Sequence, residues 1–133
     1  MSNCVFCKII SGEYSSYKVY DDQEIMAFLD IVKDVDYHIL VVPKQHVINI
    51  LDCDEVLLNK LMSVVKKISN HLVDNCGFTG VNILNASGES AGQSVMHMHV
   101  HLIARKDQDG IDAWPKFGGA KLTLEEVLEQ IKL

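Results

Sequence analysis

The 133-residue chain is long enough for one domain with a substantial core, and its 48% apolar content places it among globular rather than disordered chains. A formal net charge of −6 with no Lys/Arg stripe argues against duplex nucleic acid as a partner, but not against a single nucleotide, which needs only local donors. No basic n-region precedes a long apolar run and no segment approaches a membrane span, so a cytoplasmic protein is expected, with its four cysteines as thiols or metal ligands rather than disulfides.

The first element read from the sequence is a short helix over "VFCKIIS", ended by Gly12. Residues 17–30 hold two apolar runs around the turn-forming pair Asp21-Asp22, a hairpin pattern. "YHILVVP" (37–43) reads as a third strand, rich in branched residues and closed by Pro43. A long helix follows, with Asp52 as the expected N-cap and Glu55 three residues on. Leu57, Leu58, Leu61, Val64, Val65, Ile68 and Leu72 recur at helical spacing, and Gly77 marks the stop. "GVNILN" (80–85) is a fourth strand, and the loop "ASGESAGQS" leads into a fifth that carries "HMHVH". Near the end, Thr123 and Glu126 stand in capping-box positions before a short final helix. The pattern predicts an α+β domain spanning 1–133: a five-stranded antiparallel sheet packed with one long helix plus short terminal helices. Residues 1–106 form its core and 107–133 a tail.

Residues 97–101 carry the chemistry. Strict alternation puts Met98, Val100 and Leu102 on one face of a strand and His97, His99 and His101 on the other, spaced roughly 6.6 Å apart. Three imidazoles on one face have no packing value, so the row reads either as a metal site or as a nucleophile with its proton handlers. The preceding loop has Gly88 and Gly92, which let the backbone turn into a nest of N–H groups for an anion, with Gln93 and Ser94 adding side-chain donors. Phosphate held there and attacked by an imidazole is a coherent arrangement.

"HMHVHLI" has the histidine-φ-histidine-φ-histidine-φ-φ pattern, φ being apolar, of the histidine-triad superfamily. Together with "CVFCKIISGE", "AFLDI", "HILVVPKQH" and "AGQSVMHMHVH", in that order, most of the chain resembles the Hint branch with an N-terminal CxxC. The tail from Asp107 onward resembles it much less. The resemblance implies hydrolysis or transfer of a nucleoside monophosphate carrying a leaving group, often an amine, on phosphorus. His99 would be the nucleophile and form a nucleotidyl-histidine intermediate that water then hydrolyses. His101 would contact the phosphoryl oxygens and assist the leaving group, while Ser94 and the Gly92–Gln93 backbone would hold the phosphate. Asp30 would bind the ribose hydroxyls, and Phe6, Phe28, Ile31, Val5 and Ile9 would form a slot for a base expected to be a purine. Asn85 matches a position near the phosphate, and the counterpart of His38 relays to the first triad histidine, His97. In the CxxC-bearing relatives the counterparts of Cys4, Cys7, His46 and His97 form a Cys₂His₂ structural zinc site. That role for His97 competes with the relay. A homodimer is implied, and Trp114 would either reach a partner's site or anchor the tail. The rival readings are a dinucleoside polyphosphate hydrolase, a nucleotide-binding interaction module with incidental catalysis, and a three-histidine metal enzyme using His97, His99 and His101.

Overall fold

The computed structural model describes residues 3–32 and 34–133. The elements run α1 (Val5–Ser11), β1 (Lys18–Asp21), β2 (Ile25–Leu29), β3 (His38–Pro43), α2 (Glu55–Cys76), β4 (Gly80–Leu84), β5 (Val100–Arg105) and α3 (Leu124–Ile131), with one 3₁₀ turn at Glu89–Ala91. The strands form one antiparallel sheet in the order β1-β2-β3-β5-β4. This is the α+β architecture expected from the sequence. Among the described residues no helix is long and apolar enough to cross a membrane.

The central strands are buried on both faces, and their two-residue period divides them between two cores. Ile25, Ala27, Ile39, Val41, Val100 and Leu102 face α2, which presents Leu57, Leu61, Val64, Val65, Ile68 and Leu72. Met26, Phe28, Leu40 and Val42 face the other way and gather around Phe6 of α1. With only seven residues, α1 covers part of that second face and leaves the rest open. The opening is where the site lies.

Two expectations are corrected. The N-cap of α2 is Asp54, whose carboxylate accepts from Leu57 N at 2.8 Å. Asp52 instead closes the preceding turn by accepting from Ile48 N and Asn49 N at 2.9 Å. Two aspartates compete for one helix start, and the one at the correct offset from the first buried leucine takes it.

The fifth strand begins at Val100, so of the triad only His101 lies within it. Its ladder with β3 ends at the Val41–Val100 pair, although β3 itself runs on to Pro43 beside β2. Beyond that point Met98 N donates to Val47 O, and the carbonyl of His99 accepts from the Asn85 side chain. The side-chain alternation nevertheless continues through the irregular stretch. Met98 sits in the α2 core, while His97 and His99 pack edge-on against Phe6, with centroids 5.8 and 5.2 Å away. His101, paired with Leu40 across the sheet, shares their face.

The tail is held at its start by Arg105, which bonds Asp109, Asn82 and the Ile111 carbonyl. Trp114 is 69% exposed and so does not anchor the tail to the domain surface. α3 is capped by Thr123, which accepts from Glu126 N as expected, but none of its residues is buried.

Removing the Asp54 cap by Asp54→Ala should lower stability by about 1 kcal/mol. Leu61→Ala, at a fully buried position (0% exposed), should cost about 2–5 kcal/mol. Urea midpoints at unchanged slope would show both, and an Asp54→Ala protein as stable as the parent would contradict the assigned cap.

Candidate active site

His99 is placed by three contacts. Asn85 Nδ2 holds its carbonyl at 2.8 Å, Phe6 lies against its ring, and its Nδ1 is 2.7 Å from the His97 carbonyl oxygen. A carbonyl only accepts, so Nδ1 carries the hydrogen, and in the neutral ring Nε2 is the lone-pair nitrogen. The ring is 8% exposed and lines a cleft of about 630 Å³. Val5, Phe6, Ile9, Phe28 and Ile31 form the apolar wall of this cleft, and Asp30, Ser94 and His101 supply polar groups. A lone-pair nitrogen therefore opens into a cavity with an apolar slot and a carboxylate.

His101 lines the same cleft and uses its Nδ1 on His38 Nε2, 2.8 Å away. This corrects the expected relay: His38 bonds the third triad histidine, not His97. Register decides it, because Leu40 opposes His101 and places His38 two residues along on the same face. His38 Nδ1 faces two carboxylates, Asp34 at 3.0 Å and Asp30 at 3.6 Å. Burial, assisted by repulsion from His99 and His38, pushes the His101 pKa down to about 4, against the opposing pull of Asp30 and Asp34. His101 is thus uncharged at neutral pH.

The anion loop differs from expectation. The N–H groups of Gly92 and Gln93 are taken by the Glu89 and Gly88 carbonyls. The Gln93 side chain is buried and fully engaged. Its Oε1 accepts from Gly88 N and Asn49 Nδ2, and its Nε2 donates to the Ile48 and Val95 carbonyls. Gly92 and Gln93 therefore shape the loop and offer no donors to a phosphate. Among the described residues the N–H groups of Ser94 and Val95 have no protein acceptor, and both residues line the cleft. The available donors lie one to two residues further along than the sequence indicated. Asn85 likewise anchors the His99 backbone and does not line the cleft.

The first imidazole of the triad faces elsewhere. His97 is fully buried (0% exposed) and donates from Nε2 to the Pro43 carbonyl at 2.8 Å, leaving Nδ1 as a lone pair. Burial holds its pKa below the usual histidine value, with His46 and His99 adding to the effect and the Pro43 bond opposing it. That Nδ1 lies 3.4 Å from Cys4 Sγ, 3.6 Å from Cys7 Sγ and 3.1 Å from His46 Nδ1, and Cys7 Sγ lies 3.3 Å from His46 Nδ1. Four donors bound at about 2.0–2.3 Å around a tetrahedral ion would stand roughly 3.3–3.8 Å apart. The cluster has the ligand types and close to the spacing for zinc. His97 turns its lone pair to the cysteines and His46, away from the cleft that His99 and His101 share, so a single metal held by all three does not fit.

The cleft also includes residues the sequence reading missed: Glu13, Tyr14, Ser15, Ser16, Leu29, Val32, Leu40 and Val95. The signal for the first four was Gly12. Its left-handed backbone (φ 85°) ends α1 and turns the following residues back over the slot. Asp34 was missed because nothing in its spacing ties it to His38.

Comparison with known proteins adds a family. A model of the HIT domain matches residues 11–108. An uncharacterised HIT-like protein of Borreliella burgdorferi is 44% identical over 130 residues, covering 94% of this chain and 89% of its own. An adenosine 5'-monophosphoramidase of Candida albicans is 36% identical over 111 residues (80% and 73%), and an adenylylsulfatase of Arabidopsis thaliana 33% over 130 (98% and 66%). Among solved structures, a Streptococcus mutans protein superposes with TM-score 0.85 at 37% identity, covering 98% of this chain and 82% of its own. A zinc-bound histidine triad protein of Mycobacterium smegmatis gives 0.79 at 29% identity (84% and 81%).

The depressed His101 pKa has a consequence for stability. Between about pH 4 and 6.5 the unfolded chain binds a proton at this residue that the folded one does not, so stability should fall as pH drops through that window. Urea midpoints at pH 7 and 4.5 measure the fall. It should be smaller in His101→Gln, and an equal fall would remove His101 as its source.

Proposed function

The chain belongs to the HIT domain family, and on that premise we propose that it is a nucleotide hydrolase or transferase that cleaves a nucleoside 5'-phosphoramidate or related nucleotide. The observation that carries the reading is the tautomer of His99: Nδ1–H committed to the His97 carbonyl, and Nε2 with a free lone pair in a cleft that has an apolar slot. Two relatives, the monophosphoramidase and the adenylylsulfatase, act by name on adenylyl compounds with different leaving groups, which supports an adenylyl substrate.

In this reading the base enters the slot formed by Val5, Phe6, Ile9, Phe28 and Ile31, and Asp30 accepts hydrogen bonds from the ribose hydroxyls. The Ser94 hydroxyl and the N–H groups of Ser94 and Val95 hold the phosphoryl oxygens. With a proton taken from solvent onto His101 Nε2, His99 Nε2 attacks the α-phosphorus, the P–N bond breaks, and the amine leaves with that proton. The Nδ1–H bond to the His97 carbonyl steadies the imidazole as it becomes positively charged on phosphorylation. Water, giving its proton to His101, then attacks the phosphorus and breaks the P–N bond to His99. Nucleoside monophosphate leaves and Nε2 is free again. A second cleft of about 380 Å³ adjoins at Ser94 and Val95, beside His46 and Met96, and gives the leaving group room.

The proposal includes a structural zinc at Cys4, Cys7, His46 and His97. In a closed Cys₂His₂ set the ion supplies folding energy rather than chemistry. It would fix Val5 and Phe6, which lie between the two cysteines, against the slot. A cytoplasmic homodimer is part of the same reading. β4 is a sheet edge within the chain, and Leu124, Leu128 and Ile131 of α3 are exposed, so both could be covered by a second copy.

His99→Ala should reduce turnover of adenosine 5'-phosphoramidate by on the order of 10⁴-fold or more, with nucleotide binding retained. Turnover near that of the parent would refute the nucleophile. Metal analysis should find one zinc per chain, lost in Cys4→Ser and Cys7→Ser and kept in His99→Ala. Loss with His99→Ala instead would point to a metal at the triad.

A further inference from the structure

Asp34 lies in the loop between β2 and β3, and its side chain is 55% exposed. It is nevertheless fixed: its Oδ1 accepts from Val35 N at 2.8 Å and stands 3.0 Å from His38 Nδ1. That bond is the main reason its carboxyl lies below the usual carboxylate range, so Asp34 is ionised at neutral pH. Asp30 also approaches His38 Nδ1, but at 3.6 Å, and its Oδ1 is engaged by Val32 N. A carboxylate occupied with ribose hydroxyls has less to give His38. Asp34 lies outside the cleft lining, where a nucleotide in the cleft does not compete for it.

We propose that Asp34 is a positioning residue for the leaving group: through His38, it is the counter-charge that lets the His38–His101 pair take up one proton and deliver it. The inference rests on the nucleotidyl-transfer reading above.

The proton count follows from the geometry. His38 Nδ1 faces only carboxylates and carries a hydrogen. His38 Nε2 and His101 Nδ1 stand 2.8 Å apart, so one proton lies between them. In the uncharged pair that proton is on His101 Nδ1, and His101 Nε2, the ring edge left for the cleft, is a lone pair that cannot donate. When a proton arrives at Nε2, the one between the rings passes to His38 Nε2. The positive charge then rests on His38 against Asp34. As the P–N bond of the substrate breaks, Nε2–H goes to the departing nitrogen, the inter-ring proton returns to His101, and the pair is uncharged again. It is then in the form that accepts a proton from the attacking water. The groups facing the pair are Asp30 and Asp34, which favour the charged form, and His99, which opposes it when itself protonated. Solvent screening of Asp34 limits the effect to about tenfold, below the roughly 10²–10⁴-fold of a residue that itself transfers the proton.

The test compares the parent with Asp34→Asn and Asp34→Glu on two substrates. One is an adenosine 5'-phosphoramidate of an alkylamine, which must leave with a proton. The other is the p-nitrophenyl ester of AMP, whose phenolate leaves without one. Asp34→Asn should lower kcat on the alkylamine substrate about tenfold, leave KM nearly unchanged, and move the high-pH limb of kcat to lower pH. Release of p-nitrophenolate from the ester in the first turnover should be nearly unaffected, and Asp34→Glu should recover most of the loss on the alkylamine substrate. An equal loss on both substrates, or an unmoved pH limb, would overturn the proposal. Long-range ¹H–¹⁵N spectra of the two imidazoles give a readout independent of turnover. In Asp34→Asn the pair should protonate only at lower pH than in the parent, and an unchanged titration overturns the role. If the parent turns over neither substrate, the nucleotidyl-transfer reading fails, and the spectra still decide whether Asp34 supports the pair.

Discussion

His97 joins two parts of the molecule through three of its own atoms. Its carbonyl oxygen fixes the tautomer of His99, its Nε2 is tied to the carbonyl of Pro43 at the end of β3, and its Nδ1 faces Cys4, Cys7 and His46. A fully buried imidazole with one nitrogen donating to a carbonyl must offer a lone pair at the other. The same residue thus presents the cysteines with an acceptor and, in the neutral form of the next imidazole, leaves Nε2 as the lone-pair nitrogen. Movement of the His97 backbone would disturb the site on both sides.

The second consequence concerns α1. Seven residues form a marginal helix by themselves, and here the helix contributes Val5, Phe6 and Ile9 to the cleft. What holds it is Phe6, packed edge-on against Phe28, His97 and His99, together with the cysteines that flank it, which reach the His46–His97 cluster. The apolar slot and the four-donor cluster therefore share one short segment. A metal held at the cluster would be coupled to ordering of the slot through covalent neighbours rather than through a long network.

The elements were legible because burial imposes a period. Alternation in residues 25–29 and 38–43 assigns each side chain to one of two cores, and the 3.6-residue recurrence from Leu57 to Leu72 places α2. Gly12, Gly77 and Thr123 marked their helix ends correctly because each has a specific backbone or capping job. Asp52 misled because a second aspartate stood two residues on and the choice depended on the packing of Leu57. The strand assignment at His97 failed because a ladder needs a partner, and the β3–β5 pairing ends at Val41 and Val100, beyond which Met98 N bonds Val47 O instead.

The sequence by itself determined the chemistry on offer. It specified three imidazoles on one face, a glycine-bearing loop before them, a CxxC pair on a short helix and an apolar face for the sheet to bury. Local spacing sets those features, and they hold even where the strand is irregular. Which partner each group meets was decided only by the tertiary structure. His38 binds His101 because of strand register. Gln93 is consumed by the loop because Ile48, Asn49 and Gly88 converge on it, so the available donors move to Ser94 and Val95. Asp34 reaches His38 through a loop whose path follows no period. Hydrogen bonds between distant residues depend on where the chain returns, and that is fixed by the packing of the whole sheet and its helices.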